Sequence, residues 1–307
     1  MLKYRKTLFF FDIIYMSKGV IKIYFLLGTS VLFASLNSVL LHKAPIKNSY
    51  AIYPFNFISS VVWVILLLLL SGSTPQFSMG AILWGLLYGS VQVFFLFFKS
   101  RAMSTGDVSV TTLLGNCSLL VSLIVSYIAW DERINIMQLL GLILLIISVF
   151  LCVYQPGKKS FSLKWIIYVF FFFIFASGVG IIFKAFSKYG GNTDLSAMMI
   201  CSALVMMVAF LIISISYRPE NFLKDDTGIK RFLLYAIISG VLSCGYNRLN
   251  AFLSGALQAV IFFPGFNGGV VLVSTIMGIL LCREKYNAKK IIALLLGTVS
   301  IVIIGIF

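Results

Sequence analysis

Ten runs of mostly apolar side chains, each about 20 residues long, occupy most of this 307-residue chain. A helix of about 20 apolar residues is long enough to cross the hydrocarbon core of a bilayer. Backbone groups in lipid must be paired within the protein, so the runs predict helices. They cover roughly residues 21–41, 50–70, 78–98, 108–130, 136–154, 164–186, 195–216, 230–247, 256–281 and 289–306. The sequence therefore predicts an all-α integral membrane protein with ten transmembrane helices.

Composition agrees with a membrane protein and leaves no room for a soluble domain. Hydrophobic residues make up 61% of the chain and charged residues only 11%. A soluble domain has about 25% charged residues. The polar breaks between the apolar runs are short, so the function must lie within the helices and at their ends.

The net charge of +15 does not indicate a nucleic-acid partner. The 24 basic residues are scattered over the loops instead of clustering on one surface. They are better explained as topology signals and as anchors at the membrane surface.

Residues able to carry enzyme chemistry are scarce. The chain has one histidine, His42, and no carboxylate in the middle of an apolar run. Its five cysteines are odd in number and lack metal-ligand spacing, which predicts neither a disulfide framework nor a zinc site. A membrane enzyme would need a nucleophile with a base, or a set of metal ligands. We therefore predict a protein that is not an enzyme and that has no cofactor.

Residues 1–20 form an N-terminal extension with a basic start and a short apolar run. Asp12 interrupts that run and no small-residue cleavage site follows, which argues against a signal peptide. Met16 is an alternative start of translation, and the sequence leaves both starts open.

The two halves of the chain repeat each other. "FASLNSVLLHKA" (33–44) aligns with "FASGVGIIFKAF" (175–186), and "ERINIMQLLGLILLIISV" (132–149) aligns with "EKYNAKKIIALLLGTVSI" (284–301). Each half holds five runs. Because five is odd, the second half must enter the membrane with the opposite orientation, as in the inverted repeats of many transporters.

The five-plus-five runs, with the acidic turns "DER" and "REK" after the fourth and ninth, resemble the drug/metabolite transporter superfamily in its EamA-like branch. The resemblance implies a first EamA-like repeat at 21–154, a linker at 155–163 and a second repeat at 164–307. It also implies secondary transport by alternating access, with both termini in the cytoplasm. The basic residues favour the opposite orientation, since more of them lie in loops that this topology places outside.

The ninth run is the most unusual, because the first half of "QAVIFFPGFNGGVVLVSTIMGILLCREK" (258–285) combines Pro264, three glycines and Asn267. Pro removes a backbone donor, and Gly weakens a helix by about 1 kcal/mol relative to Ala. The fourth run places Gly115 and Asn116 at a similar depth. An amide in hydrocarbon must face a neighbouring helix or a wet cavity. We predict that the ninth run is loosened near Pro264 and forms a hinge and a wall of the binding site.

Further polar and aromatic residues lie in runs that face inward in the resembled fold. Trp84, Tyr88 and Gln92 are spaced i, i+4 and i+8, so they share one helical face. Packing and interhelical hydrogen bonds are the alternative roles for all of these residues. The candidate substrate-binding residues are Asn37, Asn56, Trp84, Tyr88, Gln92, Asn116, Ser177, Lys184, Asn247, Phe263 and Asn267.

Charged residues near the helix ends have two interpretations. Lys184 and Lys43 close the sixth and first runs, either as snorkelling anchors or as a cationic mouth that attracts solute. Glu132 is expected to pair with Arg133, and Glu284 with Lys285, or each to interact with the start of the next helix.

Together these features predict a secondary transporter for a small polar or amphipathic metabolite: an amino acid, a nucleoside, a quaternary amine or a drug-like solute. A flippase or exchanger for a lipid-linked or nucleotide-linked sugar is the alternative. The absence of mid-run carboxylates argues against a carboxylate-driven proton antiporter. The expected partners are the solute and the lipid bilayer. We expect a monomer, with a dimer as the alternative, in the cytoplasmic membrane of a bacterium with an AT-rich genome.

Overall fold

The computed structural model describes residues 22–41, 44, 51–71, 74–105, 111, 115, 118–153, 162–217, 226–282 and 288–307. Within these ranges it contains ten α-helices and no strand. They are α1 (Lys22–Leu41), α2 (Ile52–Leu70), α3 (Met79–Thr105), α4 (Leu119–Trp130), α5 (Ile136–Val153), α6 (Leu163–Tyr189), α7 (Leu195–Ser216), α8 (Asp226–Ala256), α9 (Ala259–Cys282) and α10 (Ala288–Ile306). Each predicted run holds one of these helices, so the all-α fold with ten helices is confirmed.

Six helices, α1, α2, α3, α6, α7 and α8, are long and apolar enough to cross a membrane by length and composition. The other four contain shorter apolar stretches. Large apolar side chains on the outside of the bundle are highly exposed, among them Phe25 (72%), Leu69 (75%) and Ile128 (75%). A surface of this kind suits contact with lipid chains instead of water.

Helix α8 is much longer than the eighth apolar run, which ends at Asn247. The run ends there because Asn247, Arg248 and Asn250 lower the local hydropathy. The helix nevertheless continues, since the two asparagines are buried and hydrogen-bonded to other helices. Hydrogen bonds to other helices thus satisfy polar side chains whose low hydropathy suggested the end of a helix.

Helices from the two halves of the chain interleave. Helix α2 packs against α7 and α8, α3 packs against α6 and α7, and α5 packs against α10. Helix α1 runs parallel to α9, because Leu27 meets Gly265 and Val31 meets Gly269. Helix α6 runs antiparallel to α9, because Gly180 meets Phe263 while Lys184, further along α6, meets Leu257 before the start of α9. Consequently α1 and α6 run in opposite directions.

The predicted loosening of the ninth run is wrong: α9 is one continuous helix from Ala259 to Cys282 that includes Pro264. The glycines serve close packing instead. A Cβ atom on Gly269 would lie 3.0 Å from Val31 of α1, and one on Gly268 would lie 2.7 Å from Leu145 of α5. Small residues let neighbouring helices approach closely in membranes, where no hydrophobic force drives helices together.

The close contact between α3 and α7 also depends on glycine. A Cβ atom on Gly85 of α3 would lie 2.7 Å from the backbone oxygen of Met198 in α7, and backbone cannot move aside as a side chain can. A Cβ atom on Gly28 of α1, in contrast, would have nothing within 4 Å. These two helical glycines form a matched pair for mutation.

We predict that Gly85→Ala destabilises the protein by about 1–3 kcal/mol, the usual cost of overpacking. Gly28→Ala should be neutral, or stabilising by up to about 1 kcal/mol, because Ala is the better helix former. Reversible unfolding of both purified variants in detergent measures the difference. Equal stability of the two variants would contradict the packing described here.

Candidate functional site

A cavity of about 70 Å³ lies between α4, α6, α8 and α9. Four polar residues among the described ones line it: Ser118, Ser122, Asn250 and Asn267. The first two lie one helical turn apart at the start of α4, and the asparagines come from α8 and α9. The cavity therefore has polar groups from both halves of the chain.

Phenylalanine rings form most of the remaining lining. Phe262, Phe263 and Phe266 lie near the start of α9, and Phe183 comes from α6. The rings of Phe262 and Phe263 have centroids 5.2 Å apart. Gly180 allows Phe263 to reach α6, because a Cβ atom there would lie 2.5 Å from the ring. The cavity is thus an aromatic chamber with a few polar positions.

Among the described residues, the side chains of the two cavity asparagines are each held by one hydrogen bond. Ser30 of α1 donates to Oδ1 of Asn250 at 2.7 Å, so the Nδ2 donors of Asn250 are not used in this bond. Asn267 donates through Nδ2 to the backbone oxygen of Phe263 at 3.1 Å, so its Oδ1 acceptor is not used. The Nδ2 group of Asn250 on α8 and the Oδ1 atom of Asn267 on α9 therefore remain as a donor and an acceptor for a molecule in the cavity.

The cavity is small in this conformation. Pockets for drug-sized ligands enclose about 300–1,000 Å³, whereas this one has room for a few water molecules. A metabolite can enter only if the four surrounding helices move apart. In this structure the cavity is therefore too small for a drug-sized solute.

Four of the predicted site residues lie in a separate polar network that joins α1, α3 and α8. Tyr88 donates to Oδ1 of Asn247 at 2.8 Å, and Gln92 donates to the Tyr88 hydroxyl at 2.6 Å. Asn37 donates to Ser243 at 3.0 Å and accepts from Ser239 at 2.7 Å. Tyr88, Gln92, Asn37 and Asn247 are all buried. In this conformation their polar atoms bind neighbouring helices and not the cavity.

The other predicted residues are distributed as follows. Phe263 and Asn267 line the cavity. Trp84 packs edge-on against Phe186, with ring centroids 5.9 Å apart. The backbone oxygen of Ser177 accepts from Ser122 at 3.3 Å, one layer behind the cavity. Asn116 lies outside the described residues.

Asn56 of α2 is the one predicted amide with a buried Nδ2 that makes no hydrogen bond in the described part of the chain. Its helix packs against α7 and α8, away from the cavity. A role for Asn56 and for the other predicted ligands in binding stays a prediction.

Lys184 is not a snorkelling anchor, because its side chain is only 5% exposed and is paired inside the protein. Nζ lies 2.8 Å from Oε1 of Glu132 and donates to the backbone oxygen of Leu257 at 2.7 Å. The other carboxylate oxygen of Glu132 accepts from the backbone N–H of Ala259 at 2.7 Å. Glu132 therefore pairs with Lys184 instead of Arg133, and it caps α9 instead of the next helix, α5.

Sequence reasoning missed Asn250, although it lies three residues after Asn247 and so on nearly the same face of α8. It was missed because the eighth run was ended at Asn247. Ser118 and Ser122 were missed as well, and their i, i+4 spacing on the fourth run is the signal that could have identified them.

The ten apolar helices and the cavity buried among them define a polytopic α-helical membrane protein. Residues 21–154 match the model of the EamA-like transporter family. Over these residues the match confirms the resemblance to the drug/metabolite transporter superfamily found in the sequence. The family is one of membrane transporters.

The whole chain also resembles a protein of known crystal structure, with a TM-score of 0.72. The overlay covers 93% of this chain and 98% of the other, at 12% sequence identity. At this identity the likeness shows a shared fold alone. No curated protein matches the sequence.

We predict that the amides of the network and of the cavity differ in their contribution to stability. Asn247→Leu removes the acceptor of the fully buried Tyr88 hydroxyl and should destabilise the protein by about 1–3 kcal/mol. Asn267→Leu removes only a bond to its own helix and should cost less than about 1 kcal/mol. Unfolding of both variants in the same detergent measures the two values. A larger loss of stability in Asn267→Leu than in Asn247→Leu would contradict this distinction between network and cavity amides.

Proposed function

We propose that the protein is a secondary transporter that moves a small polar or amphipathic solute across the membrane through the cavity between α4, α6, α8 and α9. The observation that carries the proposal is the position of this cavity, between helices of both halves in a chain whose first half is an EamA-like repeat. Transporters built from two repeats bind their substrates between the repeats.

Alternating access is the mechanism that fits the small cavity. A chamber of about 70 Å³ must widen toward one side to admit a solute and toward the other side to release it. The opposite directions of α1 and α6, and the crossed packing of α2 on α8 and of α3 on α7, support an inverted repeat with boundaries at 21–154 and 164–307. Two inverted halves can exchange roles when the protein changes from one open side to the other.

The chemistry of the cavity supports a metabolite instead of a nucleotide-linked sugar. A nucleotide-linked sugar carries phosphate, which proteins bind with Arg, Lys or helix N-termini. The described residues that line the cavity carry no charge. We place the transporter in the cytoplasmic membrane, and its apolar outer surface requires no partner other than lipid.

A cavity-filling variant tests the route. In Ala176→Leu an isobutyl group replaces a methyl group on the cavity wall of α6, so the chamber is filled while the helix-forming tendency is kept. We expect purified Ala176→Leu in lipid vesicles to lose at least about 90% of uptake of any solute that the native protein carries, because binding requires an open cavity.

Ala129→Leu is the matched control, since Ala129 lies on the exposed surface of α4. It should transport at the native rate. Native uptake by Ala176→Leu, with a solute that the native protein carries, would show that transport follows another route.

A further inference from the structure

We propose that the cavity selects uncharged solutes that carry a hydrogen-bond acceptor and donor beside an aromatic ring, and that Asn250 and Asn267 are the two residues that recognise them. The inference rests on the proposed function, because it concerns the same cavity. It adds Asn250 to the substrate-binding residues and narrows the substrate class to uncharged solutes.

Hydrogen-bonding capacity gives the first step. Ser30 fixes the orientation of the Asn250 amide through Oδ1, and the backbone oxygen of Phe263 fixes Asn267 through Nδ2. Among the described residues neither the Nδ2 of Asn250 nor the Oδ1 of Asn267 has a partner, so the first can donate to a solute acceptor and the second can accept from a solute donor. A carboxamide group carries both functions.

Charge gives the second step. The described cavity lining holds no charged side chain, and the nearby Lys184 is already neutralised by Glu132. An ion that enters a water-poor chamber loses its hydration, and burial without a countercharge is far more costly than burial of a paired neutral group. The four phenylalanine rings of the lining favour a flat apolar portion of the solute, and an aromatic ring of the solute would pack against them.

Three compounds of nearly equal size separate the charge classes: benzamide is neutral, benzoate is an anion and benzamidine is a cation at neutral pH. Binding to the purified native protein is measured by calorimetry or thermal shift. We expect benzamide to bind at least about tenfold more tightly than either ion, because each ion enters unpaired. Binding of benzoate or benzamidine as tight as that of benzamide would overturn the selectivity, and so would a failure of folded protein to bind benzamide.

Variants then connect the selectivity to the two asparagines. Asn250→Leu and Asn267→Leu keep the approximate shape of the side chain and remove its hydrogen bonds, and each should weaken benzamide binding at least about fivefold. Asn192→Leu, at an exposed position in the turn after α6, should not change it. Unchanged affinity in both cavity variants would exclude the asparagines as ligands.

The Ala176→Leu variant separates the two proposals. If one of the three compounds binds the native protein and Ala176→Leu abolishes that binding, the cavity is the binding site, even when the predicted charge preference is wrong. If benzamide binds equally well to Ala176→Leu, the cavity is not the site and the proposed function loses its support.

A second inference rests on different contacts, those of Lys184 and Glu132. We infer that this ion pair is a latch that closes the cavity toward one end of the bundle, called here the Glu132 end. The Glu132 end consists of the turn after α4, the last turns of α6 and the turn between α8 and α9.

The latch joins all four helices that surround the cavity. Glu132 follows α4, Lys184 belongs to α6, Leu257 follows α8 and Ala259 begins α9. Three contacts of 2.7–2.8 Å hold these helix ends together. Lys184 also follows directly after Phe183, which lines the cavity. The cavity therefore cannot open at the Glu132 end until the contacts of Glu132 and Lys184 break.

The pair can separate reversibly. The Lys184 side chain is 5% exposed and that of Glu132 is 16% exposed, so water can reach the carboxylate from the end of the bundle. A carboxylate at a helix N-terminus is favourable, which explains why Glu132 and not Lys184 contacts the start of α9. Loss of one charge alone leaves the other one buried and unpaired, so single variants are expected to be less stable than the neutral pair.

The latch is tested with Val179→Cys, a cysteine introduced at the cavity wall, in protein reconstituted in vesicles. A membrane-impermeant methanethiosulfonate is applied from each side, and the labelling rate is compared with that of protein without the added cysteine. When Val179→Cys is combined with Glu132→Gln/Lys184→Met, the labelling rate from the Glu132 end should rise at least about fivefold. A factor of about five is the lower end of the usual coupling between two sites. Labelling from the other side should not rise.

Asp131→Asn/Lys188→Met is the matched control, because both residues lie next to the latch and are exposed. It should label at the native rate. The neutral double variant guards against loss of folding, which a single charge deletion invites. A folded double variant that labels at the native rate would show that the ion pair only joins the helices. Failure of Val179→Cys to label from either side in every variant would instead contradict the proposed function.

Discussion

Buried polar side chains in a water-poor bundle determine how this protein is held together. Inside the membrane, each such group must find a partner on another helix or face a cavity. Helix α8 shows this rule several times: Ser239 and Ser243 bind α1, Asn247 binds Tyr88 of α3, and Asn250 accepts from Ser30 of α1. The direction and depth of α1, α3 and α8 relative to one another follow from these contacts.

The same rule distinguishes two kinds of amide. Asn37, Gln92 and Asn247 find their partners on other side chains, so they specify which helices pack together. Asn250 and Asn267 use only one side of the amide within the protein, and the other side lies at the cavity. A transporter needs both kinds, because fixed contacts preserve the bundle while unsatisfied groups at the cavity can exchange water for solute.

The number, type and approximate position of the helices could be predicted, because the length of an apolar run and the demand for paired backbone groups leave few alternatives. The role of particular residues could not. Pro264 and the glycines beside it suggested a loosened helix, yet their meaning depends on Leu27, Val31 and Leu145 of other helices. The partner of Lys184 could not be predicted either, since Glu132 is brought to it only by the packing of α4 on α6.

The central claim is that solute crosses through a cavity whose Glu132 end must open and close. Ser187 of α6 and Gly255 of α8 are both exposed near this end, and a Cβ atom on Gly255 would lie 2.9 Å from that of Ser187. A disulfide requires about 3.8 Å between these two atoms, so it can form here once the two helix ends move apart by about 1 Å. The most direct measurement is therefore transport by Ser187→Cys/Gly255→Cys before oxidation, after oxidation and after reduction. The account predicts that oxidation stops transport and that reduction restores it. Undiminished transport by fully cross-linked protein would contradict it.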